Sequence, residues 1–266
     1  MTDWTADLQL AHELADAADT LTTSRFLAGD LVIESKPDLT PVTDADRQVE
    51  REMREQLERA RPADAVHGEE YADTGTGPRR WVIDPIDGTK NFVRGVPVWA
   101  TLIALQQDER TVVGVVSAPA LGRRWWAASG SGAWTGSSVR DARPCRVSRV
   151  GELSDAYLAY SSLFGWETLD RLPQFVELLR RVWRTRAFGD FWSHMMVAEG
   201  AVDASCEPEV FLWDLAALQI IVTEAGGRFS DLSGVDRPDG GSVVCSNGLL
   251  HDAMLGALAA PTSVTG

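Results

Sequence analysis

The stretch Trp81-Val82-Ile83-Asp84-Pro85-Ile86-Asp87-Gly88-Thr89 constrains this chain most, because a short apolar strand runs directly into two carboxylates and a glycine–threonine turn. Acids clustered at a strand end suit a hard divalent cation such as Mg²⁺, which takes a few carboxylate oxygens and keeps positions open for water and a substrate phosphate. Pro85 fixes its own backbone and predicts that sheet pairing ends just after Asp84, so that the Ile86 carbonyl turns toward the same centre. Asp84 and Asp87, three apart around that proline, point one way if the segment is a tight turn. Gly88 lets the main chain approach a ligand closely, and Thr89, Lys90 and Asn91 open a turn or short helix whose N–H groups face the phosphate.

Two more acidic segments bear on the same site. Gly68-Glu69-Glu70 follows another apolar patch, and Trp213-Asp214 opens a strongly helical run from Asp214 to Ala225. Four acids from three loops, Glu69, Asp84, Asp87 and Asp214, therefore predict one centre. Several candidates also have a plainer reading. Asp214 suits a first helical turn on dipole grounds alone, and Glu70 reads either as support behind the ligands or as an exposed acid. Thr43-Asp44-Ala45-Asp46 fits a helix capping box, which by itself accounts for Asp46, while Asp44 is an accessory candidate. The only two lysines, Lys36 and Lys90, both fall beside the proposed site, by chance or as compact cations attending a phosphate or metal.

With 266 residues, 44% of them hydrophobic, the chain is long enough for a substantial core and reads as one domain over 1–266. Its formal charge of −14, with basic clusters that are short pairs such as Arg79-Arg80 and Arg180-Arg181 and not extended, argues against nucleic acid or an anionic membrane as partner. No segment has transmembrane length, and Met1-Thr2-Asp3-Trp4 lacks the pattern of a secretion signal, so a cytoplasmic location is expected. Cys145, Cys206 and Cys245 are odd in number and far apart, which indicates neither a disulfide frame nor a zinc site. His12, His67, His194 and His251 show no metal-ligand spacing and read as surface or satisfied core residues.

Leu10, Leu14, Ala18 and Leu21 mark one face of a helix over 5–28, and Val49, Met53 and Leu57 mark another over 44–60. Strand patterns over 99–105, 112–116 and 124–127 predict an antiparallel meander. A glycine–serine stretch, 129–138, is expected to separate a metal-binding half (about 1–138) from a second half (about 139–266). There, strands over 157–161, 182–188, 202–206 and 242–245 alternate with helices around Phe175, over 190–199, after Asp214 and around Met254. That order implies stacked α and β layers around two sheets. The last residues, 261–266, are expected to be mobile.

Taken in order, Thr43 to Asp46, Gly68-Glu69-Glu70, Asp84 to Thr89, and Trp213-Asp214 with Glu224-Ala225-Gly226-Gly227 resemble the signatures of the inositol monophosphatase family of Mg²⁺-dependent, lithium-sensitive phosphatases. The resemblance covers nearly the whole chain. It implies an α/β (α+β) fold, the five-layered αβαβα sandwich shared with fructose-1,6-bisphosphatase, and a homodimer. It also implies two to three Mg²⁺ per site, with Mn²⁺ as a substitute. Glu69, Asp84 and the Ile86 carbonyl would hold a first ion, Asp84, Asp87 and Asp214 a second, and Glu69 with waters a third, weaker one. Asp46 and Thr89 would orient and deprotonate the attacking water, and the Gly88 and Thr89 amides would hold the phosphate.

In the family, the leaving group is read by the segment that here comprises Arg186 to Trp192 together with Glu207-Pro208-Glu209. Gly189 is followed by Asp190 and an aromatic residue, where inositol-selective members carry small or hydroxylated residues; this resembles the branch acting on histidinol phosphate. Asp190 and Glu207 suit that ester's ammonium and imidazole, although Asp190 also reads as a cap of the following helix. The implied activity is phosphoric monoester hydrolysis, with histidinol phosphate preferred and inositol 1-phosphate as the runner-up substrate. A metal-binding interaction module without turnover is the remoter alternative, and the presence of both Asp46 and Thr89 argues against it.

Overall fold

In the computed structural model, which describes residues 2–37 and 39–259, the chain opens with α1 (Thr5–Arg25), a hairpin of β1 (Ile33–Ser35) and β2 (Pro41–Thr43), and α2 (Asp44–Ala60). Then come β3 (Ala65–Gly68), β4 (Arg79–Asp87), α3 (Thr89–Arg94), β5 (Ala100–Gln107), β6 (Arg110–Ala118), β7 (Arg123–Ala128), β8 (Ala133–Gly136) and β9 (Arg143–Pro144). The remainder is β10 (Tyr157–Ala159), α4 (Phe164–Thr168), α5 (Leu172–Arg181), β11 (Arg184–Arg186), α6 (Asp190–Ala198), β12 (Ala204–Glu207), α7 (Leu212–Glu224), β13 (Arg228–Ser230), β14 (Val243–Ser246) and α8 (His251–Leu258). The tail expected to be mobile, 261–266, lies outside the described residues.

Strands β3 to β9 make one sheet in chain order, antiparallel except for the parallel pair β3–β4, and a second sheet runs β11-β10-β12-β14-β13. Period-two alternation sends the two faces of the large sheet into different cores. Val82, Leu102 and Ala104 pack toward α6 and α7, whereas Trp81, Ile83, Ile103 and Leu105 pack against α1 and α2. A third cluster joins Leu158, Ala204 and Val244 of the small sheet to Phe175 of α5 and Met254 of α8. The layers are therefore α1/α2, large sheet, α6/α7, small sheet and α5/α8, which is the expected αβαβα sandwich. As the middle layer, α7 is buried along nearly its whole length, from Leu215 to Val222, and so lacks a polar face.

Three local expectations need correction. Helix α1 stops at Arg25, because Phe26 turns extended (φ −61°, ψ 124°). The glycine–serine stretch lies inside the first sheet: it supplies β8, with Ala133 and Thr135 turned inward, and the large sheet continues through β9, so the change of sheet comes only between Pro144 and Tyr157. Glycines at positive φ, Gly130 and Gly132, make the turn into β8 rather than a linker. Pro85 does not end sheet pairing either. Strand β4 continues to Asp87, opposite Ala100, with the register shifted between Asp84 and Asp87, and the Pro85 carbonyl accepts from Thr101 Oγ1 at 2.8 Å. Proline has no N–H to lose at such a bulge. Among the described residues, no helix is long and apolar enough to cross a membrane.

Candidate active site

In an unbroken strand, residues three apart face opposite sides of the sheet. The bulge at Pro85 inserts an extra residue, so Ile86 packs into the α1/α2 core while Asp84 and Asp87 both reach the α6/α7 side. A bulge, not a tight turn, aligns the two acids. Asp214, in the first turn of α7, meets them there, and ligand oxygens of the three carboxylates lie within 4.8 Å of one another. Each accepts one backbone N–H: Asp84 from Ile86 (2.9 Å), Asp87 from Phe191 (2.9 Å) and Asp214 from Phe211 (2.7 Å). The helix-cap reading of Asp214 and its place in the cluster are thus both realised.

Burial first, and then repulsion from neighbouring acids including Glu69 and Asp190, raise all three carboxyls, Asp84 and Asp87 well above the usual carboxylate range and Asp214 to about 7. Among the described residues, no lysine, arginine or histidine forms an ion pair with any of them. Hard oxygen donors crowded together without a counter-charge are a donor set that fits a divalent cation.

The parallel register places Gly68 opposite Ile83, so Glu69 emerges from β3 alongside Asp84. Glu69 lines a cavity of about 440 Å³ with Asp87, Gly88, Thr89 and Asp214, but stands outside the trio. Lys36, between β1 and β2, holds Glu69 at 2.6 Å and Glu70 at 2.7 Å. Burial raises Glu70 to about 7 in spite of that lysine. Asp46 accepts from the Thr43 N–H (2.8 Å) and hydroxyl (2.5 Å) through Oδ2, closing the capping box. Its Oδ1 lies 3.4 Å from Thr89 Oγ1, which also donates to the Ile86 carbonyl at 3.0 Å. Burial raises Asp46 to about 6, against the hydrogen bonds from Thr43. Gly88 has φ 81°, and a Cβ there would sit 3.0 Å from the Val98 carbonyl, so the turn into α3 requires glycine.

Across the cavity, Asp190 does not cap α6. Gly189 is the N-cap residue without a side-chain bond, Asp190 accepts from Asn91 Nδ2 at 3.0 Å, and Asp87 takes the Phe191 N–H. Burial and the nearby Glu207 raise Asp190 to about 6. His194, read from sequence as a surface or satisfied core residue, is buried beside Glu207, with Nε2 at 2.9 Å from Oε1 and Nδ1 at 2.8 Å from the Ser205 hydroxyl. Its spacing of four from Asp190 on one helix was the available signal. An aromatic wall was also missed: Phe211 and Trp213 stack with ring centres 4.9 Å apart.

Some candidates lie elsewhere. Asp44 turns away to Arg25 (2.8 Å) and the Val32 N–H (3.1 Å), and Asn91 bridges the Val98 carbonyl and Asp190. Gly189 lines an adjoining cavity, whereas Lys90 lines both.

The sequence profile of the inositol monophosphatase family matches residues 3–262. A histidinol-phosphatase of Streptomyces coelicolor is 61% identical over 262 residues, 97% of this chain and 98% of that protein. A histidinol-phosphatase of Mycobacterium tuberculosis is 60% identical over 94% of this chain and 96% of that protein. The solved structure of the extragenic suppressor protein suhB from Bartonella henselae matches with a TM-score of 0.87 at 28% identity, covering 97% of this chain and 100% of that one. The layered sandwich, the acid trio at a bulged strand end and a profile match over nearly the full length agree: the chain belongs to the inositol monophosphatase family of metal-dependent phosphatases.

Proposed function

We propose that this phosphatase is a Mg²⁺-dependent histidinol-phosphate phosphatase, using water to release phosphate and histidinol in histidine biosynthesis. The observation that carries the reading is a single cavity with two acid groups of different need. Asp87 and Asp214 line its floor with Asp84 buried beside them, none of the three ion-paired to a basic side chain among the described residues, and its far wall is the pair Asp190 and Glu207. The names of the Streptomyces and Mycobacterium relatives support the same substrate.

Glu69, Asp84 and the Ile86 carbonyl would hold one ion, and Asp84, Asp87 and Asp214 another. Divalent ions held there would supply positive charge where negative charge develops on the phosphate and leaving oxygen, and would lower the pKa of the attacking water. Thr89 Oγ1 and Asp46 Oδ1 orient that water, and Asp46, raised to about 6 by burial, is ionised at neutral pH and can take its proton. The Gly88 and Thr89 amides donate to phosphate oxygens. Asp190 and Glu207 pair with the ammonium of the leaving group, and the Phe211–Trp213 stack offers an aromatic face to its imidazole.

The reading includes lithium inhibition, Mn²⁺ as a substitute ion, a cytoplasmic location and a homodimer. The dimer is supported by edge strand β11, beside which Trp183 is 66% exposed. The test is kcat/KM with Mg²⁺ for histidinol phosphate and inositol 1-phosphate side by side, with and without lithium. Histidinol phosphate is expected to lead by at least about tenfold, roughly 1.4 kcal/mol. A lead for inositol 1-phosphate would reassign the substrate, and no release from either ester would leave a silent metal-binding module.

A further inference from the structure

Helix α2 carries a second buried carboxylate one turn beyond Asp46: Glu50, which is 0% exposed and takes no part in the chemistry above. Its Oε2 accepts the backbone N–H of Glu70 at 2.7 Å, and its Oε1 accepts that of Tyr71 at 3.2 Å. Arg54, a further turn along, donates Nε to the same Oε1 at 2.8 Å and Nη2 to the Tyr71 carbonyl at 3.1 Å. One carboxylate thus ties down two successive N–H groups immediately after Glu69, and a guanidinium balances its charge. Gly68 completes the arrangement. A Cβ on Gly68 would lie 2.2 Å from Glu50 Oε1, so the residue before Glu69 has no side chain because Glu50 occupies its space.

Packing alone does not explain this carboxylate, since an apolar residue would fill a helix–strand interface without the cost of desolvating a charge. We propose that Glu50 is a positioning residue: it fixes the backbone of the Glu69–Glu70 turn and so the direction in which Glu69 presents its carboxylate to a cation. The proposal rests on the reading of Glu69 as a cation ligand. Through α2, one rigid helix then orients both the water-handling side of the site, by Asp46, and the ligand side, by Glu50.

The test titrates Mn²⁺ alone into metal-free protein, following free Mn²⁺ by electron paramagnetic resonance, alongside melting curves and the Mg²⁺ dependence of phosphate release. Glu50→Gln, which keeps the volume, is expected to weaken Mn²⁺ binding about 10- to 100-fold and to raise the Mg²⁺ needed for half-activity, while kcat at saturating Mg²⁺ falls much less. Gly68→Ala, which pushes the carboxylate aside, should weaken binding in the same way. Adding Gly68→Ala to Glu50→Ala should cost nothing more, because the clash is gone. Unchanged Mn²⁺ affinity in folded Glu50→Gln and Gly68→Ala, with only melting lowered, would overturn the proposal; if Glu50→Gln does not fold, Gly68→Ala decides. Unsubstituted protein that binds no Mn²⁺ and releases no phosphate would refute the underlying site reading, and the role of Glu50 with it.

Discussion

The acids on the floor of the cavity and those around its rim are held in opposite ways. On the floor, Asp84, Asp87 and Asp214 each accept a single backbone N–H and crowd one another. Around the rim five acids each have a side-chain partner: Lys36 for Glu69 and Glu70, Asn91 for Asp190, His194 for Glu207 and, further out, Arg25 for Asp44. These five acids have a partner within the fold, although Glu69 also stands where it can reach a cation. Floor acids are oriented by the backbone but, among the described residues, paired with no basic side chain, which is the arrangement an incoming cation completes.

The largest expected effect tests that contrast directly. Asp87→Asn keeps an acceptor for the Phe191 N–H but removes charge from the floor, so kcat/KM should fall about 10³-fold, roughly 4 kcal/mol. A loss below about tenfold would put floor and rim on the same footing. Asp190→Ala should cost about 10- to 100-fold on histidinol phosphate and far less on a small aryl phosphate, as expected for a charge-assisted contact with the leaving group. Equal losses on both esters would mean that Asp190 only anchors Asn91.

A smaller effect sharpens the comparison through pH. In the folded protein Asp214 is raised to about 7 and Asp46 to about 6, both above the ordinary 3.8 of an unfolded aspartate. Between about pH 4 and 7 the folded state therefore binds more protons than the unfolded one, and the metal-free protein loses stability as pH rises. Melting without metal should be several degrees lower at pH 8 than at pH 5, and saturating Mg²⁺ should restore it at pH 8. A metal-free melting temperature that does not change with pH would show that burial does not raise Asp214 and Asp46. The smallest effect belongs to Asp44→Asn. With the Asp44 side chain 38% exposed, its loss should cost under about 1 kcal/mol and leave turnover within about twofold. A tenfold fall in kcat would move Asp44 into the site.

Short-range signals in the sequence were read well wherever a few neighbouring residues set the geometry. The capping box at Thr43 starts α2 at Asp44, and the meander strands fall close to their apolar runs. Gly88 ends β4 and opens α3 with the left-handed backbone that glycine permits. Where a neighbour across the sheet decides, the same rules misled. Pro85 looks like a strand end but is a bulge because β5 continues to pair beyond it, and residues 133–136, set in a glycine–serine stretch, become a strand only because β7 lies alongside. Strand β13, three residues from Arg228 to Ser230, had no periodicity to reveal it.

From sequence alone came the members of the acid floor, the helix that holds Asp46 and the presence of stacked α and β layers, because turn residues, caps and apolar spacing act through backbone preferences over a few positions. The order of the five layers came from the family resemblance. Tertiary packing decided which acids go without a partner. Asp87 caps a helix that starts more than 100 residues later, through Phe191 at a separation of 104, and His194 settles on Glu207 from a neighbouring strand. Burial and Coulomb repulsion depend on distance in space, and those distances exist only once α6 and α7 are packed between the two sheets.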